Sequence, residues 1–237
     1  MIQTEGIFVG GSAISAPIIG EDFNWSGGDG TYQVLDDGGG NWRIKFLSSG
    51  TFTPLKNMVI DVFLVGGGGG AGSSYCGEGG AGYTTTVRSV VLTANTAYSI
   101  VVGAAGTNGN PSSAGGETTA FTASAAGGKN TSNGTSSSKR PGGAGGSGGA
   151  GYVSPVATTT GGTDGGDGTS SATTGGKGQG TTTREFGEAD GTLYASGGGS
   201  NLTATVSNSG NGGRNGITSI APADGIVVIR QHKEVAA

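Results

Sequence analysis

Glycine spacing gives the sequence its first candidate for chemistry. The apolar run 59–65 leads into GGGGGAG, in which Gly67, Gly69 and Gly72 fit the G-x-G-x-x-G pattern of a dinucleotide-binding loop. That loop needs a following helix, whose amino terminus receives the pyrophosphate, and an acid about 20 residues further on. The residues after Gly72 are more glycines and then β-branched residues, with no acid near that distance. We therefore predict that no nucleotide cofactor binds here.

No grouping of reactive side chains predicts catalysis. His232 is the only histidine, so neither a Ser-His-Asp nor a Cys-His set can be assembled around another one. Acid pairs such as Asp36–Asp37 are typical of turns, and Cys76 stands alone. The segment GGTDGGDGT, at 161–169, has the wrong spacing for a calcium-binding repeat. We predict that the protein is not an enzyme and holds neither a cofactor nor a metal.

Binding is the activity that the side chains support better. Polar inserts separate the glycine-rich runs, at 107–114, 129–141, 152–160 and 181–194. Their aromatic side chains could stack on a sugar or pack on a surface protein, and their bases could meet anionic cell-wall polymers. The alternative, that the aromatic rings cover the ends of a glycine bundle, stays open. The candidate receptor-binding residues are Lys139, Arg140, Tyr152, Arg184, Phe186 and Tyr194.

The elements that must position these inserts are predicted to be strands. TYQVLD and WRIKFL, around the turn DGGGN, predict a hairpin with Ile44 and Phe46 on one face and Arg43 on the other. The run 59–65 is apolar on both faces except for Asp61, which predicts a central, covered strand. GIVVIR, at 225–230, is predicted to pair back onto this sheet.

Weaker strand signals follow. TTTVRSVVL and TAYSIVVG, joined by TAN, predict a second hairpin, and 117–125 predicts one further strand. No window has apolar residues at helical spacing, so we predict essentially no α-helix. We also expect the strands at Val59 and Ile226 to offer edges for self-association.

Glycine, at 55 of 237 residues, needs its own structural explanation. In GGAGGSGGAG, at 142–151, the side chains Ala144, Ser147 and Ala150 recur at every third position, which is the repeat of polyproline II-type backbone. Side-by-side runs of this kind can pair through their main-chain N–H and C=O groups. Only six prolines occur, which excludes collagen, whereas a flexible linker remains the alternative. The other candidate runs are 66–72, 77–82, 161–168, 175–180 and 197–199.

These elements together predict an all-β protein. A small β-sandwich or sheet module is combined with a bundle of polyglycine II helices in a domain spanning 42–237, after an attachment or oligomerisation segment at 1–41. The net charge of −4 and the scattered bases argue against binding to nucleic acid. No apolar stretch approaches the roughly 20 residues of a membrane span, and the amino terminus lacks the pattern of a signal peptide. We expect neither membrane insertion nor signal-peptide export.

Four segments resemble a known family. They are WRIKFLSSGTFTPLKNMVIDVFLVGGGGGAG, GGAGYTTTVRSVVLTANTAYSIVVGAAG, FGEADGTLYASGGG and DGIVVIR. In this order they resemble the glycine-rich domain of tail proteins from tailed bacteriophages and prophages. The resemblance covers about residues 42–230. The chain also resembles phage adhesins whose tips are built of packed polyglycine helices.

The resemblance implies a virion protein, made in the host cytoplasm, that lies in a tail fibre or tail tip. It implies receptor binding, with the inserts presented to a polysaccharide or protein of the bacterial surface. The implied partners are other tail proteins and further copies of the chain in a homotrimer. A purely structural tail-tip, baseplate or head-fibre component is the alternative. The Thr clusters 84–86, 158–160 and 181–183 suggest an ice-binding bundle, but a regular flat Thr face is missing.

Overall fold

A computed structural model describes residues 22–38, 40–73, 75–133, 141–151, 183–199, 204–215 and 219–231. The described chain is all-β, as predicted, and contains no α-helix apart from a 3-10 turn at Glu185–Gly187. Within this part, no helix has the length and apolar character to cross a membrane. The strands are β1 (Phe23–Trp25), β2 (Tyr32–Gly38), β3 (Asn41–Phe46), β4 (Gly50–Pro54), β5 (Met58–Val65), β6 (Thr84–Leu92), β7 (Tyr98–Val101), β8 (Thr118–Ala120), β9 (Ala123–Ala125) and β10 (Ile226–Gln231).

Two antiparallel five-stranded sheets pack face to face. Sheet A has the order β1-β4-β7-β8-β9, and sheet B has the order β2-β3-β10-β5-β6. The predicted β2–β3 hairpin is confirmed, with Val34 opposite Ile44. β10 pairs with β3 on one side and with β5 on the other, as the carboxy-terminal pattern predicts.

The core lies between the sheets. Alternate residues of the central strands point into it, including Ile60, Val62 and Leu64 of β5 and Val227 and Ile229 of β10. Each of these side chains is fully buried. The remaining buried members from both sheets are Phe23, Ile44, Phe46, Phe52, Leu92, Ile100, Ala120 and Ala125. The alternation seen in the sequence therefore sets the inner face of sheet B.

Three predictions about the strands are wrong. β6 and β7 do not form a hairpin, because β6 pairs with β5 in sheet B and β7 pairs with β4 in sheet A. The expected single strand at 117–125 is a tight hairpin of β8 and β9. β5 and β10 lie inside sheet B, so their edges are already occupied by neighbouring strands and are not free for self-association.

The expected division at residue 41 falls inside a hairpin. β2 pairs with β3 across this point, and β1 pairs with β4 in the other sheet. The residues from Phe23 onward therefore belong to the β domain rather than to a separate attachment segment. Residues 1–21 lie outside the described part of the chain, and their attachment role stays a prediction.

Six strands of the sandwich run on into one bundle of glycine-rich segments. β5, β7 and β9 continue outward into 66–72, 103–109 and 126–131, whereas three returning segments lead back into β6, β8 and β10. The returning segments are 77–83, 113–116 and 220–225. Runs 142–150, 195–199 and 210–213 complete the described bundle. The candidate runs 161–168 and 175–180 lie outside the described residues.

The hydrogen bonds of the bundle repeat every three residues. In the run 66–72, Gly66 and Gly69 donate their N–H groups to Tyr83 and Gly80, while Gly67 and Gly70 donate to a different run. Gly68 donates to a third run. The carbonyl groups accept from three further runs, so this run is surrounded by 77–83, 113–116, 220–225, 103–109, 126–131 and 210–213. A β-sheet pairs each strand with only two neighbours.

The run 77–83 repeats the arrangement. Glu78 and Ala81 donate to run 147–150, Gly79 and Gly82 to run 210–213, and Gly80 to run 126–131. A repeat of three matches the three residues per turn of polyproline II-type backbone. The polyglycine II conformation of the runs stays a prediction, and this repeat supports it. The paired amides also argue against the flexible-linker alternative for the described runs.

Candidate functional site

Four of the segments that join the glycine-rich runs gather at one end of the molecule. The outward runs end, and the returning runs begin, at residues 72–77, 107–114, 130–133 and 213–220, which we call the distal end. Of the last of these segments, 216–218 are not described. The insert predicted at 129–141 leaves the described chain at Asn133 and returns at Pro141, also at this end.

The opposite end of the sandwich carries both limits of the described chain. Phe23 pairs with Pro54 at the outer end of β4, and Gln231 pairs with Ile60 near the start of β5. We call this the sandwich end. β1 therefore begins, and β10 ends, at the end of the molecule opposite the distal segments.

Side-chain hydrogen bonds tie the distal loops together. Asn133 Oδ1 accepts from the Ser73 N–H at 2.7 Å, and Asn130 Nδ2 donates to the Ser112 carbonyl at 2.9 Å. Thr131 Oγ1 accepts from the Gly72 N–H at 3.0 Å. These contacts cap main-chain groups that have no partner where the bundle ends. The distal surface is thus cross-braced rather than a set of independent loops.

The Asn108 side chain takes the place of one main-chain hydrogen bond between two runs of the bundle. Its Oδ1 accepts from the Ala71 N–H at 2.8 Å, and its Nδ2 donates to the Ile220 and Arg214 carbonyls at 2.9 and 3.0 Å. In the same two runs, Gly68, three residues before Ala71, donates its N–H directly to the Ala223 carbonyl. The amide therefore spans the gap where the two runs separate towards the distal end.

A buried carboxylate lies just below the distal surface. Glu78 is 4% exposed, and its Oε2 accepts from the Asn215 N–H at 2.7 Å. Burial raises its pKa to about 7, against the opposing effects of the Asn215 hydrogen bond and the charge of Arg214. Burial and the charge of Glu78 raise the pKa of the Cys76 thiol, which disfavours the reactive thiolate.

The outer face of sheet B is covered by residues 183–195. Phe186 and Tyr194 pack on Phe63, with ring centroids 6.1 and 5.5 Å away, and Val65, Ile226 and Val228 complete this second core. Both rings are buried. The strands at the centre of sheet B are therefore covered on both faces, as their apolar sequence predicts.

Ion pairs fasten this cover to the sheet. Glu185, 1% exposed, pairs with Arg43 at 2.5 Å and with Lys45 at 3.0 Å. Arg230 pairs with the fully buried Asp61 at 3.2 Å and with Glu188 at 2.7 Å. A cleft of about 280 Å³ lies above these pairs. Its lining residues are Asp37, Arg43, Glu185, Phe186, Glu188, Asp190, Gly191, Thr192 and Arg230.

The acidic and basic side chains of this cleft are held in ion pairs. Hydrogen bonds to Asp37 and the proximity of Glu185 raise the pKa of Arg43, so its guanidinium stays charged. Burial and Glu185 raise the pKa of the Tyr194 phenol. Glu185 and Glu188 both line the cleft, and each is held in an ion pair, Glu185 with Arg43 and Glu188 with Arg230. Among the described residues, no group of acids, cysteines or histidines has metal-binding geometry.

The structure separates the residues that the sequence selected for receptor binding. Lys139, Arg140 and Tyr152 lie outside the described residues. The insert 181–194 does not project as expected, because Phe186 and Tyr194 are buried against sheet B. Neither ring is available to stack on a sugar in this structure. Arg184 is half-buried and donates to the Gly191 carbonyl at 3.0 Å, within the cover.

Sequence reasoning missed two features. The ion pair of Asp61 with Arg230 had a signal, since each is a lone charge, of opposite sign, in a predicted buried strand. The bracing role of Asn108 had none, because an asparagine before glycine is typical of any turn.

The fold and its distal loops define a class: an all-β sandwich whose strands run on into a glycine-rich bundle. The model of one family, described as a glycine-rich domain, matches residues 47–230. This match covers well over half of the chain, so the chain belongs to the glycine-rich domain family. No curated protein matches the chain.

Proposed function

We propose that the protein is the receptor-binding tip of a tail fibre or tail of a tailed bacteriophage or a phage tail-like particle. In this proposal the bundle is a rigid support, and its distal loops contact the host cell surface. The observation that carries the proposal is the collection of four bundle segments, 72–77, 107–114, 130–133 and 213–220, at the end opposite the start of β1 and the end of β10. The sequence resemblance to tail proteins supplies the biological setting.

Rigidity supports this role. Six runs surround the central run 66–72 and pair with it through main-chain groups, and side chains brace the loops beyond. A surface that is ordered before binding loses less conformational entropy when the partner arrives. Loops held in this way are suited to recognition, because little ordering remains to oppose binding.

Attachment to the particle belongs to the sandwich end in this proposal. Other tail proteins would bind there, and a homotrimer would associate through the sandwich. Among the described strands, the outermost are β1 and β9 in sheet A and β2 and β6 in sheet B. β2 has a bulge beside Asp36 and β6 has a register shift opposite Asp61, which are features that discourage edge-to-edge pairing. We expect a trimer, if formed, to pack sandwich faces, and sedimentation equilibrium measures its mass.

Competition for adsorption tests the proposal. The purified chain, added in excess, is expected to bind the bacterial host of the particle that carries it and to slow adsorption of that particle. Ser132→Cys places a thiol on the exposed distal end, and Thr96→Cys places one on the exposed sandwich end. Each thiol is coupled to a large polyethylene glycol maleimide, while Cys76 is protected by burial.

The two conjugates separate the two candidate functions. We expect the Ser132→Cys conjugate to lose competition and the Thr96→Cys conjugate to retain it. A chain that does not bind host cells, or two conjugates that compete equally well, would show that the distal end does not contact the receptor. A purely structural role in the virion would then be the better explanation.

A further inference from the structure

We infer that the distal end binds a near-neutral carbohydrate of the cell surface, through short hydroxyl and amide side chains around the ring of Tyr75. This inference rests on the proposed function and names its ligand class. It uses only the part of the distal end that the structure describes.

The chemistry of the distal surface is polar and almost uncharged. No carboxylate is exposed among its described residues, since Glu78 is buried. Arg214 is half-buried beside that carboxylate, and Lys129 is the one exposed base near this surface in the described part of the chain. Besides Tyr75, the exposed side chains of the described distal segments are Ser73, Thr107, Asn110, Pro111, Ser113, Ala114, Asn130, Ser132 and Ser219. Hydroxyls and amides both donate and accept hydrogen bonds, as sugar hydroxyls do.

Tyr75 supplies the apolar contact. Its side chain is 45% exposed, and it is the only large apolar residue exposed at the distal end of the described chain. Its backbone is held at φ 47°. Next to it, the Cys76 thiol donates to the Gly72 carbonyl at 2.9 Å. An aromatic ring offers a flat apolar face, and its phenol adds a hydrogen-bonding group at the edge.

Other ligand classes fit this surface less well. A stable protein interface buries about 800 Å² on each partner and depends on several aromatic or Arg anchors. The described distal end offers a single exposed ring. An anionic polymer needs a cluster of bases, and among the distal residues that the structure describes Lys129 is the one exposed charge. A sugar requires only a few well-placed hydrogen bonds and one ring.

Order in the loops strengthens the fit. The distal side chains already bond to one another, as the Thr107 and Ser113 hydroxyls do at 3.1 Å, and the Thr107 N–H donates to Ser113 Oγ at 2.9 Å. Few rotatable groups remain to be fixed when a sugar binds. A small polar surface can therefore reach useful affinity when several copies act together on one particle.

Cell-binding measurements with the fluorescently labelled full chain test the inference. Host cells are treated either with periodate, which cleaves the vicinal diols of surface sugars, or with a broad protease. We expect periodate to reduce binding at least ten-fold and protease to leave it within two-fold. Tyr75→Ser is expected to reduce binding about ten-fold, Tyr75→Phe to retain most of it, and Val91→Ser, at the sandwich end, to leave it unchanged.

The outcomes distinguish this inference from the proposed function. Binding that resists periodate but is lost after protease would overturn the carbohydrate and leave the receptor-binding tip in place. Wild-type binding by Tyr75→Ser would equally overturn the site. Absence of binding to untreated host cells would overturn the proposed function itself. The thermal midpoint of each variant, compared with wild type, separates lost contacts from lost folding.

Discussion

Replacing Gly68 with alanine tests the glycine bundle at its centre. Gly68 is fully enclosed, donates to the Ala223 carbonyl at 2.8 Å and accepts from the Gly106 N–H at 2.8 Å. An added methyl carbon would lie 1.8 Å from the carbonyl oxygen of Asn211. Ordinary contact begins near 3.4 Å, so the run 210–213 would have to retreat by about 1.6 Å, which is 3.4 less 1.8.

The cost follows from the bonds of that run. Gly213 donates to Gly69, Gly82 donates to Gly210 and Ala223 donates to Asn211, at 2.8 to 2.9 Å. A retreat of this size takes these distances beyond the limit of about 3.2 Å for a hydrogen bond. Two or three lost bonds at about 1 kcal/mol each, with about 1–3 kcal/mol of overpacking strain, give about 3–6 kcal/mol. For a chain of this size we expect the thermal midpoint to fall by about 10 °C.

Gly116→Ala is the matched control, because it is the same substitution in a neighbouring run. Its methyl carbon would come no closer than 3.0 Å to another heavy atom, so a shift of a few tenths of an ångström suffices. We expect it to cost less than about 1 kcal/mol. Calorimetry of both variants gives the comparison. If the runs were flexible linkers, both alanines would be neutral or slightly stabilising, by about 0.4–1 kcal/mol, and the packing argument would fail.

Three further substitutions test other parts of the structure. The folded pKa of Glu78, about 7, exceeds its ordinary value of 4.5, so the free energy of unfolding of the wild type should fall as the pH rises from 4.5 to about 7, by the order of 3 kcal/mol. Glu78→Gln should lack this fall. Urea unfolding should therefore show the effect of the substitution at pH 8 and not at pH 4.5. Asp61→Asn removes one of the two carboxylates that pair with the buried Arg230 and leaves Glu188 as the other, so it should lower stability by about 1.5–3 kcal/mol; a change under 1 kcal/mol in the same assay would contradict the pairing. Asn108→Ala removes the bridge at the distal end, and the Ala71 amide should then exchange with solvent at least ten-fold faster, while unchanged exchange would show that the bridge is dispensable.

The position of the central strands could be predicted because the pattern of apolar residues within each strand shows which of its faces are buried. Apolar side chains on both faces of 59–65 and 226–229 require cover on both sides, and the structure places these strands inside sheet B. The partner of β6 could not be predicted in the same way. Adjacent strands with a short connection usually pair, but the connection at 93–97 crosses from one sheet to the other. Which sheet a strand joins depends on contacts far away in the sequence.

The cover of sheet B shows where a usable signal was overlooked. Phe186 and Tyr194 lie among glycines and polar residues, which is typical of an exposed loop. Phe63 and Val65, however, point away from the sandwich core, and an apolar second face requires a partner. The two aromatic residues of the insert were the available partners. Matching the unpaired apolar face to the unplaced rings would have predicted their burial.

The alignment of neighbouring runs in the glycine bundle must be fixed by residues other than the glycines. A run without side chains can slide along its neighbour and lose no packing, since its main-chain groups repeat at every turn. In this protein six runs are direct continuations of strands, and the strands have a register set by side chains such as Ile44 opposite Ile229. The sandwich therefore positions the runs before they pair.

The runs that do not continue a strand carry their own markers. In 142–150 the side chains return at every third residue, which is the repeat of the bundle hydrogen bonds, so a shift by one residue would bring a Cβ into a backbone contact. Run 210–213 is marked by Asn211, whose Oδ1 accepts from the Ser196 N–H at 2.9 Å, and by Asn208, which donates to the Leu47 and Gly225 carbonyls. Side chains thus fix the alignment at a few points, and main-chain pairing carries it to the distal loops. A sandwich with altered register should for this reason displace the loops as a set, although no loop residue has changed.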